Sequence, residues 1–205
     1  MKTSLPLGAA AFLCAAALAS ANASATTIGF DSLADLDPVT TQFSASGVTF
    51  ANTIALKAGL SLNDGEFPPH SGSVVVFDDG GAMSLTFSTP VTQVGAFFTY
   101  VLPLTLTAWD VLDHVVGGLT SAFANNTAVS GDAGSLPNEW LQLAFASGIA
   151  KLTVEGDPGG GSFVLDDLVF TPKALPVPEP ATAALTAIAL AGLLARRRFA
   201  VSALA

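Results

Sequence analysis

Three carboxylates near the two ends of the central part of this sequence have the chemistry of hard-cation ligands. Asp31 lies in the motif GFDSL, and Asp166 and Asp167 lie in FVLDDLVF. Because the first and last strands of a sandwich fold often pair, we expect Asp31 to come near Asp166 or Asp167. Ca²⁺ prefers several carboxylate and carbonyl oxygens as ligands. The arrangement therefore predicts a structural Ca²⁺ site, with solvated strand-end charges as the alternative interpretation.

The two histidines are the candidates for acid–base chemistry. His70 lies in FPPHSG, where it is either a general base or a turn residue that hydrogen-bonds the backbone. His114 lies in WDVLDHVVGG, beside a predicted hairpin turn, and is expected to be exposed. Their spacing is not that of a metal-binding pair. Ser32 in GFDSLADLD looks like the serine of GDSL esterases, but the motif lacks a glycine between Phe30 and Asp31, so no catalytic residue is predicted.

The two tryptophans are the candidates for contact with a carbohydrate. In LTLTAWD, alternation places Trp109 with the threonines, on the face opposite Leu104, Leu106 and Ala108. In PNEWLQLAF, Trp140 alternates with Gln142 in the same manner. Each ring is therefore either an exposed platform for sugars or a plug at one end of the core, and the sequence leaves both interpretations open.

Short strands are the elements that must position these side chains. Five runs rich in β-branched and aromatic residues read as strands: VTQVGAFFTY, LTLTAWD, EWLQLAFA, IAKLTVEG and SFVLDDLVF. GFDSLADLD reads as a first strand, and turn-forming clusters separate the runs: STP, FPPHSG, DDGG, SGDAGSLPN and GDPGGG. No long amphipathic helix is predicted between residues 26 and 171. The pattern predicts an all-β domain over residues 26–175, an antiparallel β-sandwich or jelly roll.

The charge of this domain restricts its partners. Residues 26–175 contain fifteen acidic residues and three lysines and no arginine, which gives a net charge of about −12. Nucleic acid is excluded as a partner because phosphate neutralisation needs clustered basic groups. The charge suits solubility, cation binding or a neutral or basic polymer.

The N-terminal residues have the features of a secretory signal peptide. Lys2 precedes an apolar stretch, and small residues in A-x-A patterns follow it up to Ala25. We therefore expect residues 1–25 to form a signal helix that is read by the Sec machinery and removed by signal peptidase. The single cysteine, Cys14, lies in this segment, so the mature chain would have no disulfide.

The C-terminal segment, residues 176–205, reads as an extended strip, an apolar helix and a charged stop. Prolines at 176, 178 and 180 keep the strip extended. Residues 181–195 would form a short transmembrane helix of roughly 22 Å at 1.5 Å per residue. The three arginines that follow would stay on the cytoplasmic side. Two interpretations are open from these residues alone: a sorting signal that is cleaved, or a permanent membrane anchor.

This segment resembles the PEP-CTERM sorting signal of Gram-negative bacteria. The match consists of the VPEP motif and the arginine cluster: Val177, Pro178, Glu179, Pro180, Arg196, Arg197 and Arg198. The resemblance implies processing by exosortase, a membrane transpeptidase, and an anchored inner-membrane precursor that ends at the cell surface or in the extracellular matrix. It also implies a host that makes exopolysaccharide and biofilm. Seven residues, FAVSALA, follow the cluster where many members of the family end.

A second resemblance concerns the last strand. The segment FVLDDLVF is similar to the final strand of carbohydrate-binding jelly rolls and MAM-type sandwiches, in which an Asp helps to hold a structural calcium. Asp166, and to a lesser degree Asp167, match that pattern, whereas Asp31 replaces the Glu that is common in the first strand.

Two hypotheses of different classes follow. The first is a non-catalytic surface or matrix protein that associates with exopolysaccharide. The second is a secreted hydrolase acting on polysaccharide or ester, which would need two carboxylates about 5 to 10 Å apart in a cleft. No set of residues in the sequence singles out such a pair, so the first hypothesis is favoured.

Overall fold

Nine strands make up about half of the part of the chain that the structure describes. The computed structural model of the protein describes residues 24–174 together with Thr186, Ile188, Ala189, Leu190 and Gly192. The strands are β1 Thr26–Ile28, β2 Val48–Ala51, β3 Thr53–Lys57, β4 Val74–Asp79, β5 Met83–Tyr100, β6 Thr105–Trp109, β7 Val115–Thr120, β8 Glu139–Glu155 and β9 Gly160–Pro172. All ladders between them are antiparallel. The only helix within residues 24–174 is a 3-10 turn, Ser44–Ser46. The predicted all-β, antiparallel class is therefore confirmed.

Two long strands divide the sheet into two layers. β5 and β8 pair near both of their ends, and their register shifts between Thr86 and Gln93. On one side of this irregularity lies the threonine layer, which we define as β2, residues 83–87 of β5, residues 149–155 of β8, β6 and β7. On the other lies the aromatic layer, which we define as β1, β3, β4, β9, residues 91–100 of β5 and residues 139–144 of β8.

The inward faces of both layers meet in one hydrophobic core. Period-two alternation generates it: in β8, Leu152 and Val154 are buried whereas Lys151, Thr153 and Glu155 point outward, as the sequence predicts. Side chains from both layers belong to the same cluster of buried residues: Phe50, Met83, Leu85, Leu106, Phe98, Tyr100, Phe163, Leu165 and Phe170 among others. Two layers around one core are the arrangement of a β-sandwich.

The last strand is central to the aromatic layer. β9 pairs with β4 and β5 on its two sides, and its C-terminal part also pairs with β1, where Ile28 lies opposite Leu168. The expected pairing of the first and last strands is therefore confirmed. It brings the residues after β1 to the same end of the layer as Asp166 and Asp167.

Three local predictions about strand boundaries are wrong. GFDSLADLD is not a strand, since β1 ends at Ile28 and turns follow it. STP does not separate two strands, because β5 runs through Pro90 with a bulge. The two runs EWLQLAFA and IAKLTVEG form the single strand β8. The local sequence of a bulge in a long strand is easily mistaken for that of a turn between two strands, and a turn without Gly or Pro is easily mistaken for a strand.

The terminal predictions fall almost entirely outside the described residues. These are the signal helix within residues 1–25 and the sorting signal over 176–205, including its VPEP motif and its arginines. Among residues 181–195, the five described positions are helical. Within the described part of the chain, no helix is long and apolar enough to cross a membrane. Ala23–Ala174 forms one compact unit, the β-domain considered below.

Candidate functional site

Carboxylates at the end of the aromatic layer hold the loop that precedes β4. Asp31 Oδ1 accepts hydrogen bonds from the backbone N–H groups of Ser73 (2.6 Å) and Val74 (3.1 Å). Asp166 Oδ2 accepts one from the N–H of Ser71 (2.9 Å). Gly72 lies between them at a φ of 56°, and a Cβ there would fall 1.8 Å from Asp31 Oδ2. The loop therefore needs glycine at this position.

This arrangement uses the oxygens that the predicted calcium site would need. Both oxygens of Asp166 and both oxygens of Asp167 accept hydrogen bonds within the domain, as does Oδ1 of Asp31. In residues 24–174, no group of three or more acidic, histidine or cysteine side chains is placed to hold a metal ion. Calcium binding therefore stays a prediction from sequence.

Burial affects the acidity of Asp166. Its side chain is almost fully buried between the loop and the sheet. Burial raises the pKa of Asp166, and the neighbouring charge of Asp167 raises the pKa further, while the N–H of Ser71 opposes both effects. The carboxyl group is thus a structural acceptor for the loop rather than a solvated strand-end charge.

His70 is fixed on the outer face of the aromatic layer by two contacts. Its Nδ1 lies 2.7 Å from Asp167 Oδ2, and its ring stacks on Phe97 with ring centroids 3.4 Å apart and an interplanar angle of 8°. Because a carboxylate only accepts, Nδ1 of a neutral imidazole carries the proton and Nε2 is an acceptor. The expectation of a backbone partner is therefore wrong: the loop histidine contacts a carboxylate and an aromatic ring.

Trp140 continues this row of rings. Its side chain is 40% exposed, and its ring centroid lies 4.9 Å from that of Phe97. Nε1 donates to Gln142 Oε1 (3.1 Å). The indole passes over Gly95 of β5, where a Cβ would fall 2.6 Å from Trp140 Cζ2. We call the three rings of His70, Phe97 and Trp140 the aromatic strip; Gln142 and Asp167 flank it.

Trp109 lies on the outer face of the other layer. Its orientation among threonines is as predicted, with Leu104, Leu106 and Ala108 buried on the opposite face. The ring is half-buried, Nε1 donates to Thr153 Oγ1 (3.1 Å), and Lys151 Nζ lies 4.9 Å from the ring centroid. Lys151 is in turn paired with Asp113 at 2.6 Å. The ring of Trp109 is therefore partly covered by its own neighbours.

The hydrogen bonds around His70 are not those of an activated serine nucleophile. Ser71 Oγ donates to Asp167 Oδ1 (3.0 Å), so the carboxylate lies between the hydroxyl and the imidazole. In a serine hydrolase the imidazole lies between them, because it must take the proton of the hydroxyl. Ser32 is exposed in the turn after β1, and His114 is exposed beside Asp110. Of the predicted site residues, Asp167 and Trp140 thus reach one surface, Asp166 is almost fully buried behind it, and Trp109 lies on the other layer.

Sequence reasoning placed Gln142 on the same face as Trp140 but missed Phe97 and Gly95 as parts of this surface. A signal for Phe97 was present, because adjacent phenylalanines in a strand must point to opposite faces and Phe98 continues the buried series Val94, Ala96. The role of Gly95 could not be seen, since it depends on a ring that lies 45 positions later in the chain.

Comparisons with known proteins give resemblances of fold only. No family model matches the chain, and no curated protein matches it. Among solved structures, the K2 cleaved adhesin domain of Lys-gingipain (Kgp) is 16% identical with a TM-score of 0.43, over 72% of this chain and 99% of that chain. A point mutant of CBM29-2, a family 29 carbohydrate-binding module, is 14% identical with a TM-score of 0.41, over 77% of this chain and 99% of that one.

A third solved structure, a CBM35 from Paenibacillus barcinonensis, is 15% identical with a TM-score of 0.38, over 71% of this chain and 98% of that chain. At such identities and TM-scores, the likenesses carry no argument about a ligand or an activity of this protein. A conclusion about a ligand has to rest on the chemistry of this protein's own surface.

Proposed function

We propose that this protein is an exported, non-catalytic component of the cell surface or extracellular matrix that associates with exopolysaccharide through the aromatic strip. The observation that carries the proposal is the exposed ring of Trp140, held over Gly95 and flanked by Phe97 and Gln142. The apolar faces of sugar rings pack on such aromatic surfaces, while adjacent amide and carboxylate groups bond to hydroxyls.

The shape of the surface supports binding of a chain rather than a small molecule. The three rings form a row across neighbouring elements, with centroid separations of 3.4 and 4.9 Å. Trp140 lies on β8, whose residues 139–144 form one edge of the aromatic layer in the described structure, so a polymer could continue past it. The alternative, a secreted hydrolase, is favoured by no contact around His70 or Ser71.

Export and sorting belong to the same proposal and rest on the sequence. The Sec machinery and signal peptidase would act on residues 1–25, and an exosortase-type transpeptidase would act at Pro178, Glu179 and Pro180. The apolar residues 181–195 would hold the precursor in the inner membrane until then. Processing would leave the β-domain at the surface or in the matrix.

Intact mass spectrometry of the protein recovered from cells and medium of its own host tests the sorting part. Loss of both ends, with a C-terminus near Pro178 to Pro180, supports exosortase-type processing, and added mass would reveal an attached glycan or anchor. Retention of Arg196 to Arg198 would instead make the segment a permanent anchor.

Affinity electrophoresis of the full-length chain in gels that contain the host's exopolysaccharide tests the binding part. Trp140→Ala should weaken retardation by about tenfold or more, as expected for a central aromatic contact. Trp109→Ala is the matched control on the other layer and should stay within about twofold of the wild type. Equal behaviour of the two variants, or no retardation of the wild type, would overturn the assignment of the strip.

A further inference from the structure

The charges around the aromatic strip have one sign. Asp167 contacts His70 and its carboxylate is partly exposed, whereas Asp166 is almost fully buried and Glu139 points to the opposite face of β8 from Trp140, where it bonds to Tyr100. A ligand on this surface therefore meets one partly exposed carboxylate, that of Asp167, and none of the three lysines of the described residues.

The three lysines of the β-domain lie elsewhere. Lys151 is on the threonine layer and is paired with Asp113. Lys173 follows β9 and donates to the carbonyl of Ser147. Lys57 ends β3, which is four strand intervals from β8 in the sheet order, or roughly 19 Å at about 4.8 Å per interval.

The polar atoms of the strip are mainly acceptors. The carboxylate of Asp167 donates nothing, and its side chain is 18% exposed. In the neutral imidazole Nδ1 of His70 donates to Asp167, so Nε2 presents a lone pair, and Nε2 has no hydrogen-bond partner among the described residues. The face of an exposed tryptophan also attracts an ammonium group through its quadrupole. The complementary ligand is one that brings positive charge and N–H donors.

We infer that the aromatic strip selects glycan chains with free amino groups, that is, N-deacetylated hexosamine polymers. The N-deacetylated chains bind to the strip more tightly than N-acetylated chains of the same backbone, and uronic acid chains bind most weakly. The inference deepens the proposed function and rests on it. The ammonium group faces Asp167 while the sugar ring stacks on Trp140, and the net charge of about −12 steers cationic polymers to the domain.

The test compares hexamers of β-1,4-linked glucosamine, of N-acetylglucosamine and of a uronic acid. Each is titrated calorimetrically into the full-length chain in a fixed detergent, near neutral pH and at low salt. The glucosamine hexamer should bind about threefold to fivefold more tightly than its N-acetylated counterpart, the size expected of a partly exposed charge contact. Added salt should shrink this ratio, because exposed charges are screened.

Asp167→Asn isolates the charge. Asp167 has a φ of 48°, a conformation that Asn tolerates, and an amide oxygen can still accept from Ser71 or His70. The affinity ratio of the two hexosamine hexamers should fall to about one. Asp113→Asn is the matched control, because Asp113 has a similar φ of 58° and lies beside the threonine layer; it should leave the ratio unchanged.

The outcomes separate the inference from the proposed function. If both hexosamine hexamers bind equally to the wild type and Trp140→Ala abolishes both, the strip binds sugar but the inference is overturned. Tighter binding of the uronic acid hexamer also overturns it. If no hexamer and no host polysaccharide binds in a Trp140-dependent manner, the proposed function fails, and the inference fails with it.

Discussion

The two tryptophans of this protein follow the same strand pattern and have different environments. Both alternate with buried aliphatic residues and both point outward, Trp109 from the threonine layer and Trp140 from the aromatic layer. The N–H of Trp109 bonds to Thr153 and its ring lies near Lys151, whereas Trp140 bonds only to Gln142 and remains 40% exposed. Alternation thus selects the face of a tryptophan, and its cross-strand neighbours determine whether the ring is available.

The outer faces of the two layers differ in the same sense. The outer face of the threonine layer carries hydroxyl side chains at successive register positions, among them Thr86, Thr107 and Thr153. That of the aromatic layer is partly covered by the loop before β4 and has a small second cluster of buried residues, Leu62, Val75 and Val164. The outer face of the threonine layer thus consists of side chains from its own strands, whereas that of the aromatic layer has an additional layer of contacts packed on it.

Truncating the two tryptophans should separate stability from binding. Trp109→Ala should lower the free energy of unfolding by about 2 to 3 kcal/mol, because a half-buried ring and its bond to Thr153 are lost. Trp140→Ala should cost less than about 1 kcal/mol, since much of its ring is already in water. Urea unfolding of the full-length chain, followed by circular dichroism, measures both. A larger loss for Trp140→Ala would contradict the comparison.

Adding a methyl group to a glycine of each layer should also have unequal effects. At Gly118 a Cβ would fall 2.4 Å from the backbone oxygen of Leu106, so Gly118→Ala should cost about 2 kcal/mol of unfolding free energy. At Gly95 the first obstacle is the indole of Trp140, which can move. Gly95→Ala should therefore cost less than about 1 kcal/mol but weaken polysaccharide binding.

Gly65→Ala is the control for this pair, because the nearest atom to its Cβ would lie at an ordinary 3.6 Å. It should change the unfolding free energy by less than about 0.5 kcal/mol. Unimpaired binding of Gly95→Ala at full stability would show that the position of Trp140 is not what the strip requires.

Buried carboxylates give the aromatic layer a distinct pH dependence. Burial raises the pKa of Asp78, which accepts bonds from the backbone of Ser162 and Phe163. A raised pKa means that the folded state binds the proton more tightly, so this contribution to stability is lost as pH rises from the ordinary value of 3.8 through the raised one. The stability of the wild type relative to Asp78→Asn should fall across that window and be constant above it.

Asp110, in the turn between β6 and β7, should show the opposite sign. The N–H of His114 lowers the pKa of Asp110, so its contribution is present above the ordinary Asp pKa and is lost as pH falls through the lowered value. Urea unfolding of Asp78→Asn and Asp110→Asn at a series of pH values measures both slopes. Parallel curves for the wild type and Asp78→Asn would contradict the burial of that charge.

Tyr100 allows a direct spectroscopic measurement in the aromatic layer. It is the only tyrosine in the chain, and burial, together with its hydrogen bond to Glu139, raises its pKa to about 12. The absorbance of tyrosinate should therefore show a midpoint near 12 in the folded chain. In Glu139→Gln the midpoint should move down but stay above the ordinary value of 10, because burial is the larger cause. A wild-type midpoint near 10 would mean that the ring is accessible to water.

The sequence predicts much of the fold because the fold depends on local periodicity. The faces of Leu152, Val154 and Trp109 follow from alternation alone. The pairing of the first and last strands follows from a general tendency of sandwich folds. The bulge at Pro90 was not predictable, since a proline at the bend of a long strand has the same local signal as a proline in a turn.

The site was predictable only in part, for a physical reason. His70 and Asp167 are 97 positions apart, and their contact exists because the loop before β4 reaches the end of β9. No spacing rule covers such a contact. The acidic residues Asp31 and Asp166 were recognised by their type, but they hold the loop through three backbone N–H groups, two bonded to Asp31 and one to Asp166, which a sequence does not display.

The position of β9 has a consequence for the order in which the protein can fold. β9 contacts β1, β4 and β5, so the aromatic layer cannot be completed until the last residues of the β-domain, up to Pro172, have been synthesised. Contacts between such distant segments close slowly, because a long loop must be ordered before they form. A nascent chain therefore stays without its tertiary structure until late, and a chain that ends before Gly160 would leave the edges of β4 and β5 open to intermolecular pairing.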